Sequence, residues 1–265
     1  MKLVISLMLF IVLSPGVAAQ VIPLPTAHSH NDYEQKNPLQ DALRNGFTSV
    51  EADILYIYGK LFVGHNMPDS RWHSLKKLKK QYLKPLFKRY KANNGFIYPG
   101  YDGPFYLWID IKFEPQRSYR LLRRQLLPYK EMLTYAENGQ LHPGKVTVIL
   151  SGARPFAELL ADSLQLMTLD GRPEDLPQNY PTQIMPFISE NAGKVCQVNS
   201  YEEVDEAAIR RIYQLTAKAK AQGKKVRLWA TPEDEQLWTI LQDAGVGLIN
   251  TDDLGRLRRF LLKDK

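Results

Sequence analysis

The sequence predicts an α/β fold, a TIM-like (β/α)8 barrel in a single domain. Two observations carry this. Short apolar or β-branched runs alternate with longer amphipathic ones, the pattern of parallel βαβ units. Eight such runs fall within roughly 250 residues, the usual size of such a barrel, and no linker of domain-splitting composition interrupts them. A doubly wound open sheet is the alternative, but no glycine-rich phosphate turn follows the first run.

Strands are expected at residues 21–27, 47–54, 105–111, 145–150, 164–168, 183–188, 226–230 and 247–250. Helices are expected at 38–45, in a lysine-rich segment at 71–91, and at 115–135, 154–161, 202–222, 233–244 and 254–262. Pro85 should break or restart the second of these. Between the fifth and sixth strands, Pro173, Pro177 and Pro181 discourage a helix, so a loop is expected there. Residues 55–65 should form a hairpin turning at Gly59-Lys60.

With 44% hydrophobic and 24% charged residues, the chain can bury a sizeable core and is not globally disordered. The single cysteine, Cys196, excludes a disulfide scaffold and a four-cysteine zinc cluster. The longest apolar stretch, residues 3–13, is too short to span a bilayer. Lys2 precedes it, and Ser14-Pro15-Gly16 and Val17-Ala18-Ala19 come after it, which is the pattern of a secretory signal peptide. We therefore expect a signal peptide at 1–19 and one domain at 20–265. The product should be exported, periplasmic or secreted, soluble and monomeric.

The formal charge of +7 is local. Residues 71–91 hold nine Lys or Arg and no acid, and the rest of the mature chain carries 25 basic against 28 acidic residues. Nucleic acid is thus not an expected partner. Leu75, Leu78, Tyr82, Leu86 and Tyr90 recur at helical spacing inside the basic segment, so the plain reading is an amphipathic helix with a solvated lysine face. The functional alternative is capture of anionic substrate or peripheral contact with an anionic membrane.

In a barrel, chemistry sits at the carboxyl ends of the strands. Past the first run comes His28-Ser29-His30-Asn31-Asp32, and the second ends in Glu51-Ala52-Asp53. Residues two apart on a strand share a face, so Glu51 and Asp53 make an oxygen-rich pair suited to a hard divalent cation, Mg2+ or Ca2+. The third run ends in Asp110-Ile111-Lys112. Three of the five histidines, His28, His30 and His65, fall beside these acids, and imidazole titrates where acid/base catalysis needs it.

The order His28, Glu51-x-Asp53, His65, Asp110-x-Lys112 resembles the glycerophosphodiester phosphodiesterase and phosphatidylinositol-specific phospholipase C-like superfamily. Residues 28–33 and 46–53 are similar to its branch named for altered inheritance of mitochondria proteins, and 228–231 and 247–252 resemble its last two barrel strands. The resemblance implies a metal-dependent phosphodiesterase acting on a small-molecule or lipid phosphodiester. It implies Glu51, Asp53 and Asp110 as metal ligands, His28 and His65 as the acid/base pair, and His30, Asn31 and Lys112 at the substrate phosphate. Its members either hydrolyse the ester or release a cyclic phosphate formed by the substrate's own hydroxyl. The chain departs from the glycerophosphodiesterases at Ser29-His30, where they carry arginine and glycine, and at Asn66, where they carry aspartate; Lys112 or another cation would have to bind phosphate instead.

Three other readings are weaker. A catalytically degenerate barrel that only binds a phosphorylated ligand or partner is motivated by Ser29 and Asn66. An amidohydrolase would use His28 and His30 as ligands and Asp252 as base, but it needs histidines after the fifth and sixth strands, and only His73 and His142 are left. Ser151 lacks the nucleophile elbow and reads as a loop serine. Trp108 and Trp229 line either the mouth or the core, and Cys196 reads as inert.

Overall fold

Where the chain leaves each apolar run, turn residues set the next element, and the result is a closed ring of parallel strands. The computed structural model describes residues 20–67, 75–197 and 204–263. The expected leader, His73 and the start of the basic segment lie outside the described residues. In chain order the elements are β1 (Leu24–Ser29), α1 (Gln40–Arg44), β2 (Phe47–Ile57), β3 (Lys60–Val63), α2 (Lys84–Ala92), β4 (Phe105–Ile111), α3 (Pro115–Leu126), β5 (Tyr135–Glu137), β6 (Gln140–His142) and β7 (Val146–Gly152). They continue with α4 (Phe156–Ala161), β8 (Leu164–Gln165), β9 (Thr168–Gly171), β10 (Phe187–Asn191), α5 (Ala192–Cys196), α6 (Glu206–Ala221), β11 (Lys225–Trp229), α7 (Glu235–Asp243), β12 (Leu248–Thr251) and α8 (Leu254–Leu261).

Eight strands, β1, β2, β4, β7, β9, β10, β11 and β12, pair in parallel in that order, and β12 returns to β1. The barrel is closed, so none of these strands is left as an open edge. Strand alternation divides the core in two. Phe105, Leu107, Ile109 and Ile111 of β4 face outward into the large apolar layer beneath the helices. Tyr106 and Trp108 face inward, where they meet Ile149, Phe187 and Leu248. Trp108 and Phe187 meet edge to face with ring centroids 5.1 Å apart. This aromatic plug fills the barrel, so polar side chains collect above it at the carboxyl ends of the strands.

Four of the strand and helix expectations are corrected. The sixth barrel strand is β10, Phe187–Asn191, and not 183–188. The fifth barrel strand is β9 and not 164–168; Leu164–Gln165 instead joins β5 and β6 in a small antiparallel sheet. The 115–135 helix stops at Leu126 and passes into a tight turn at Leu127–Met132, because Pro128 has no N–H to continue the α ladder. A hairpin comes next, β5 to β6, turned by Asn138 and Gly139 with φ of 51° and 80°, the positive values a two-residue hairpin loop demands. The 173–178 connection is a short 3-10 helix and not an open loop. Near Pro85, a wide π turn at Lys79–Leu83 precedes α2, so the ladder adjusts just before the proline. In this segment Leu78, Tyr82 and Leu86 are buried while Lys76, Lys77, Lys79 and Lys80 are exposed, an amphipathic arrangement with a solvated lysine face.

Candidate active site at the mouth of the barrel

Parallel register lines up the acidic residues. Asp53 on β2 pairs with Asp110 on β4, and Asp110 with Ser151 on β7. Glu51, one inward position below Asp53, completes a trio of carboxylates whose oxygens lie within 4.8 Å of one another. Such a cluster repels itself unless cations compensate it. Lys112 supplies one charge, its Nζ 2.8 Å from Asp53 Oδ2 and 3.3 Å from Asp110 Oδ1. Arg227 supplies another by pairing with Glu51, while its guanidinium covers Trp108 at 4.6 Å and donates to Asn250 Oδ1 at 3.2 Å. Burial opposes the Glu51 charge, but Arg227 and His28 outweigh it and hold the carboxyl well below its ordinary range. Asp110 moves the other way: burial, with the charges of Asp53 and Glu51, outweighs Lys112 and raises it.

These residues fit a divalent cation. Asp53 Oδ2 is fully used, accepting from Tyr33 Oη at 2.9 Å and from His65 Nδ1 at 2.7 Å besides Lys112. Its Oδ1 is buried without a partner among the described residues, which is costly unless something fills the position. Gly152 keeps the neighbouring space open, since a Cβ there would fall 2.2 Å from Asp110 Oδ1, and its φ of +68° suits glycine.

The histidines separate. His28 is 0% exposed and lies beneath the mouth in a T-shaped contact with Trp108, ring centroids 5.7 Å apart. A carboxylate only accepts, so Nε2–H donates to Glu51 Oε2 (3.1 Å) and Nδ1 accepts from Ser49 Oγ (2.7 Å). Both ring nitrogens are therefore engaged, and neither is offered to a ligand. His28, expected as one of the acid/base pair, thus lies below the cleft with both ring nitrogens paired, and it does not line the cleft wall. His30, two residues on, lines the cleft, and its Nδ1–H donates to Asp252 Oδ1 at 3.0 Å. His65, at the end of the β2–β3 hairpin, returns over the same cleft and is held by Asp53 in the same way. Burial opposes charge on His30, but Asp252 and Glu51 outweigh it and raise its pKa.

Burial, reinforced by Arg227, lowers the His28 pKa from 6.5 to about 3. The unfolded chain protonates this ring below pH 6.5 and the folded chain refuses the proton, so its stabilising contribution is complete above pH 6.5 and is lost as pH falls toward 3. Compared with His28→Gln, the wild type should lose stability in acid by up to about 1.4 kcal/mol per pH unit in that window. Urea unfolding of both proteins at about pH 7 and about pH 5 checks this; parallel losses would show that His28 titrates normally.

The cleft has a volume of about 510 Å³, and Asn31, Lys112, Arg172, Arg227 and Trp229 complete its wall with the two histidines. Asn31, two residues past the end of β1, holds a left-handed conformation, φ 42°, at the start of a short 3-10 turn. Ser29 points elsewhere, donating to buried Asp32 at 2.9 Å. Ser151 is not a loop serine: it is the buried penultimate residue of β7 and donates to Asp170 Oδ2 at 3.0 Å. His142 stacks on Tyr135 in the small sheet, as no amidohydrolase ligand would. Cys196 is buried in α5, which pushes its thiol upward in pKa. Sequence reasoning missed Arg227, although a lone charge inside Val226-Arg227-Leu228 must point into the barrel. It also missed Asp170 and Arg172, because the fifth strand was expected several residues too early.

A model of the AIM6-like phosphodiesterase domain matches residues 16–167, more than half of the chain. The chain belongs to the AIM6-like phosphodiesterase family. Its relatives include the altered inheritance of mitochondria protein 6 homolog of Arthroderma benhamiae, 28% identical over 92% of this chain and 86% of that one. Altered inheritance of mitochondria protein 6 of Eremothecium gossypii is 26% identical over 89% of this chain and 69% of that one. Among solved structures, the glycerophosphodiester phosphodiesterase of Parabacteroides distasonis superposes with a TM-score of 0.53 at 14% identity, covering 90% of this chain and 97% of that one. That of Agrobacterium tumefaciens gives 0.52 at 13% identity, over 89% and 99%. These two likenesses establish the shared barrel fold. The AIM6-like domain thus carries an acidic cluster able to hold a metal at the mouth of a glycerophosphodiesterase-like barrel.

Proposed function

We propose that this AIM6-like domain is a divalent-metal-dependent phosphodiesterase in which Glu51, Asp53 and Asp110 hold Mg2+ or Ca2+ and His30 and His65 move the protons. One observation carries the reading: two imidazoles, each held at Nδ1 by a carboxylate, line the same cleft as Glu51 and Asp110, and the buried Asp53 clustered with those two keeps an unpartnered oxygen. Oxygen ligands favour a hard cation. When bound, the ion supplies neutralisation of the phosphate's anionic oxygens.

The rest is done by the chain. Lys112 adds positive charge beside the same carboxylates. Asp252 and Asp53 fix the ring orientation of His30 and His65, and among the described residues each Nε2 has no partner and is left for exchange with the substrate. One imidazole takes the proton of the attacking hydroxyl as its oxygen bonds phosphorus, and the other protonates the departing alkoxide as the second P–O bond breaks. The attacking hydroxyl is water or the substrate's own neighbouring hydroxyl, and product analysis for a cyclic phosphate separates the two.

The test is a screen of phosphodiesters, including bis-p-nitrophenyl phosphate, glycerophosphodiesters and phospholipids, against divalent ions. Turnover is expected with Mg2+ or Ca2+ and should vanish with chelator. Full activity after exhaustive chelation would remove the metal, and no turnover under any condition would leave a barrel that only binds.

A further inference from the structure

Among the described residues three lysine or arginine side chains line the cleft, and two are committed to the acidic trio. Lys112 lies between Asp53 and Asp110, and Arg227 is pressed between Glu51 and Trp108 with its side chain only 3% exposed. Arg172, just past β9, is held differently. Its Nη1 pairs with the wholly buried carboxylate of Asp170 and donates to Gly171 O at 3.0 Å, and its Nη2 donates to Ser151 Oγ at 3.3 Å. Among the described residues its Nε has no partner, and the side chain is 18% exposed on the cleft wall. Ser151 continues the row of Asp53 and Asp110 across the sheet, and Asp170 reaches Ser151 from the next strand. The guanidinium therefore stands at the end of the row that the proposed metal-binding carboxylates begin, on the wall of the same cleft as Asp110.

We propose that Arg172 binds a non-bridging oxygen of the substrate phosphate, with Asp170 and Ser151 as positioning residues that keep its fork aimed into the cleft. This rests on the reading of the cleft as a phosphodiester site. It gives the phosphate two anchors, the acidic trio's cation with Lys112 on the β2–β4 side and Arg172 three strands round the barrel from β2. A guanidinium pinned from below by a buried carboxylate loses little freedom when it takes an oxyanion, and a lysine in its place supplies charge without the fork.

The opposing account makes Arg172 only the counter-ion of Asp170. Arg172→Lys preserves that charge pairing, and the double variant Arg172→Gln with Asp170→Asn removes both charges together should the first not fold. Because the contact is the same in ground and transition states, KM for bis-p-nitrophenyl phosphate should rise about tenfold or more in either variant while kcat stays within about threefold. Inorganic phosphate, titrated calorimetrically into the metal-loaded proteins, should weaken in parallel. KM and phosphate affinity within about twofold of wild type in a folded variant would overturn the proposal. If the wild type turns over no diester, the phosphodiesterase reading fails on its own, and the phosphate titration still decides Arg172: tighter binding by wild type sustains the contact, and equal or absent binding ends it.

Discussion

Asp53→Asn is expected to lower kcat/KM for a phosphodiester by about 1000-fold, the largest effect of any isosteric change in the acidic cluster. That corresponds to about 4 kcal/mol, the scale of the charge stabilisation a bound metal supplies. The reason is that Asp53 serves two parts of the site at once. Oδ1 is the unpartnered buried oxygen of the proposed metal trio, and Oδ2 orients His65 while accepting from Tyr33 and Lys112. An amide in its place offers one acceptor where two are needed and puts NH2 donors beside a lysine ammonium. Steady-state kinetics at saturating Mg2+ or Ca2+, with circular dichroism to confirm folding, checks the effect. A loss of less than about tenfold would take Asp53 out of the chemistry.

The histidines provide the second large effect, and it discriminates between two neighbours. His30→Ala and His65→Ala should each lower kcat by about 100-fold or more, as expected for groups that move a proton in the transition state. Removing both should cost less than the product of the two losses, because the residues act in one step. The pH profile adds a sharper reading. His30 carries a raised pKa through Asp252, so the limb it sets should disappear from the residual activity of His30→Ala. His28→Gln should leave the shape of that profile intact, since the ring is buried and both its nitrogens are engaged by Ser49 and Glu51. Any cost it has should come through Glu51. A normal profile in His30→Ala together with a lost limb in His28→Gln would restore the first histidine to proton transfer and overturn this division of roles.

How much of the fold and site is legible in the sequence depends on the range of the forces involved. Periodicity is local, so the alternation along Phe105–Ile111 and the shared face of Glu51 and Asp53 can be read directly, and eight such runs imply a barrel. A turn is local too. The hairpin expected to turn at Gly59-Lys60 turns one residue earlier, at Tyr58-Gly59, where both φ values are positive. Asn138-Gly139 is an equally strong hairpin signal, but the three-residue strands it joins are too short to show an alternation of their own. The displacement of the fifth strand from 164–168 to β9 shows the limit, because so short a run does not say which sheet it joins. That choice belongs to the partners, β7 for Thr168–Gly171 and β5 for Leu164–Gln165.

By itself, then, the sequence determined the alternation of strand and helix runs, the acidic residues at the strand ends and the hairpin that precedes His65, since each depends on neighbours within one or two turns of chain. Tertiary structure alone decided which histidine faces the cleft. His28 and His30 are chemically identical and stand two residues apart along the same stretch of chain. The depth of the aromatic plug, with Arg227 arriving from β11 to claim Glu51, leaves the first neutral below the mouth and the second open to a ligand. Residues 23 and 176 positions from their partners set that difference. Burial and charge at such separations are properties of the closed barrel, because only closure brings β1, β2 and β11 together around one floor.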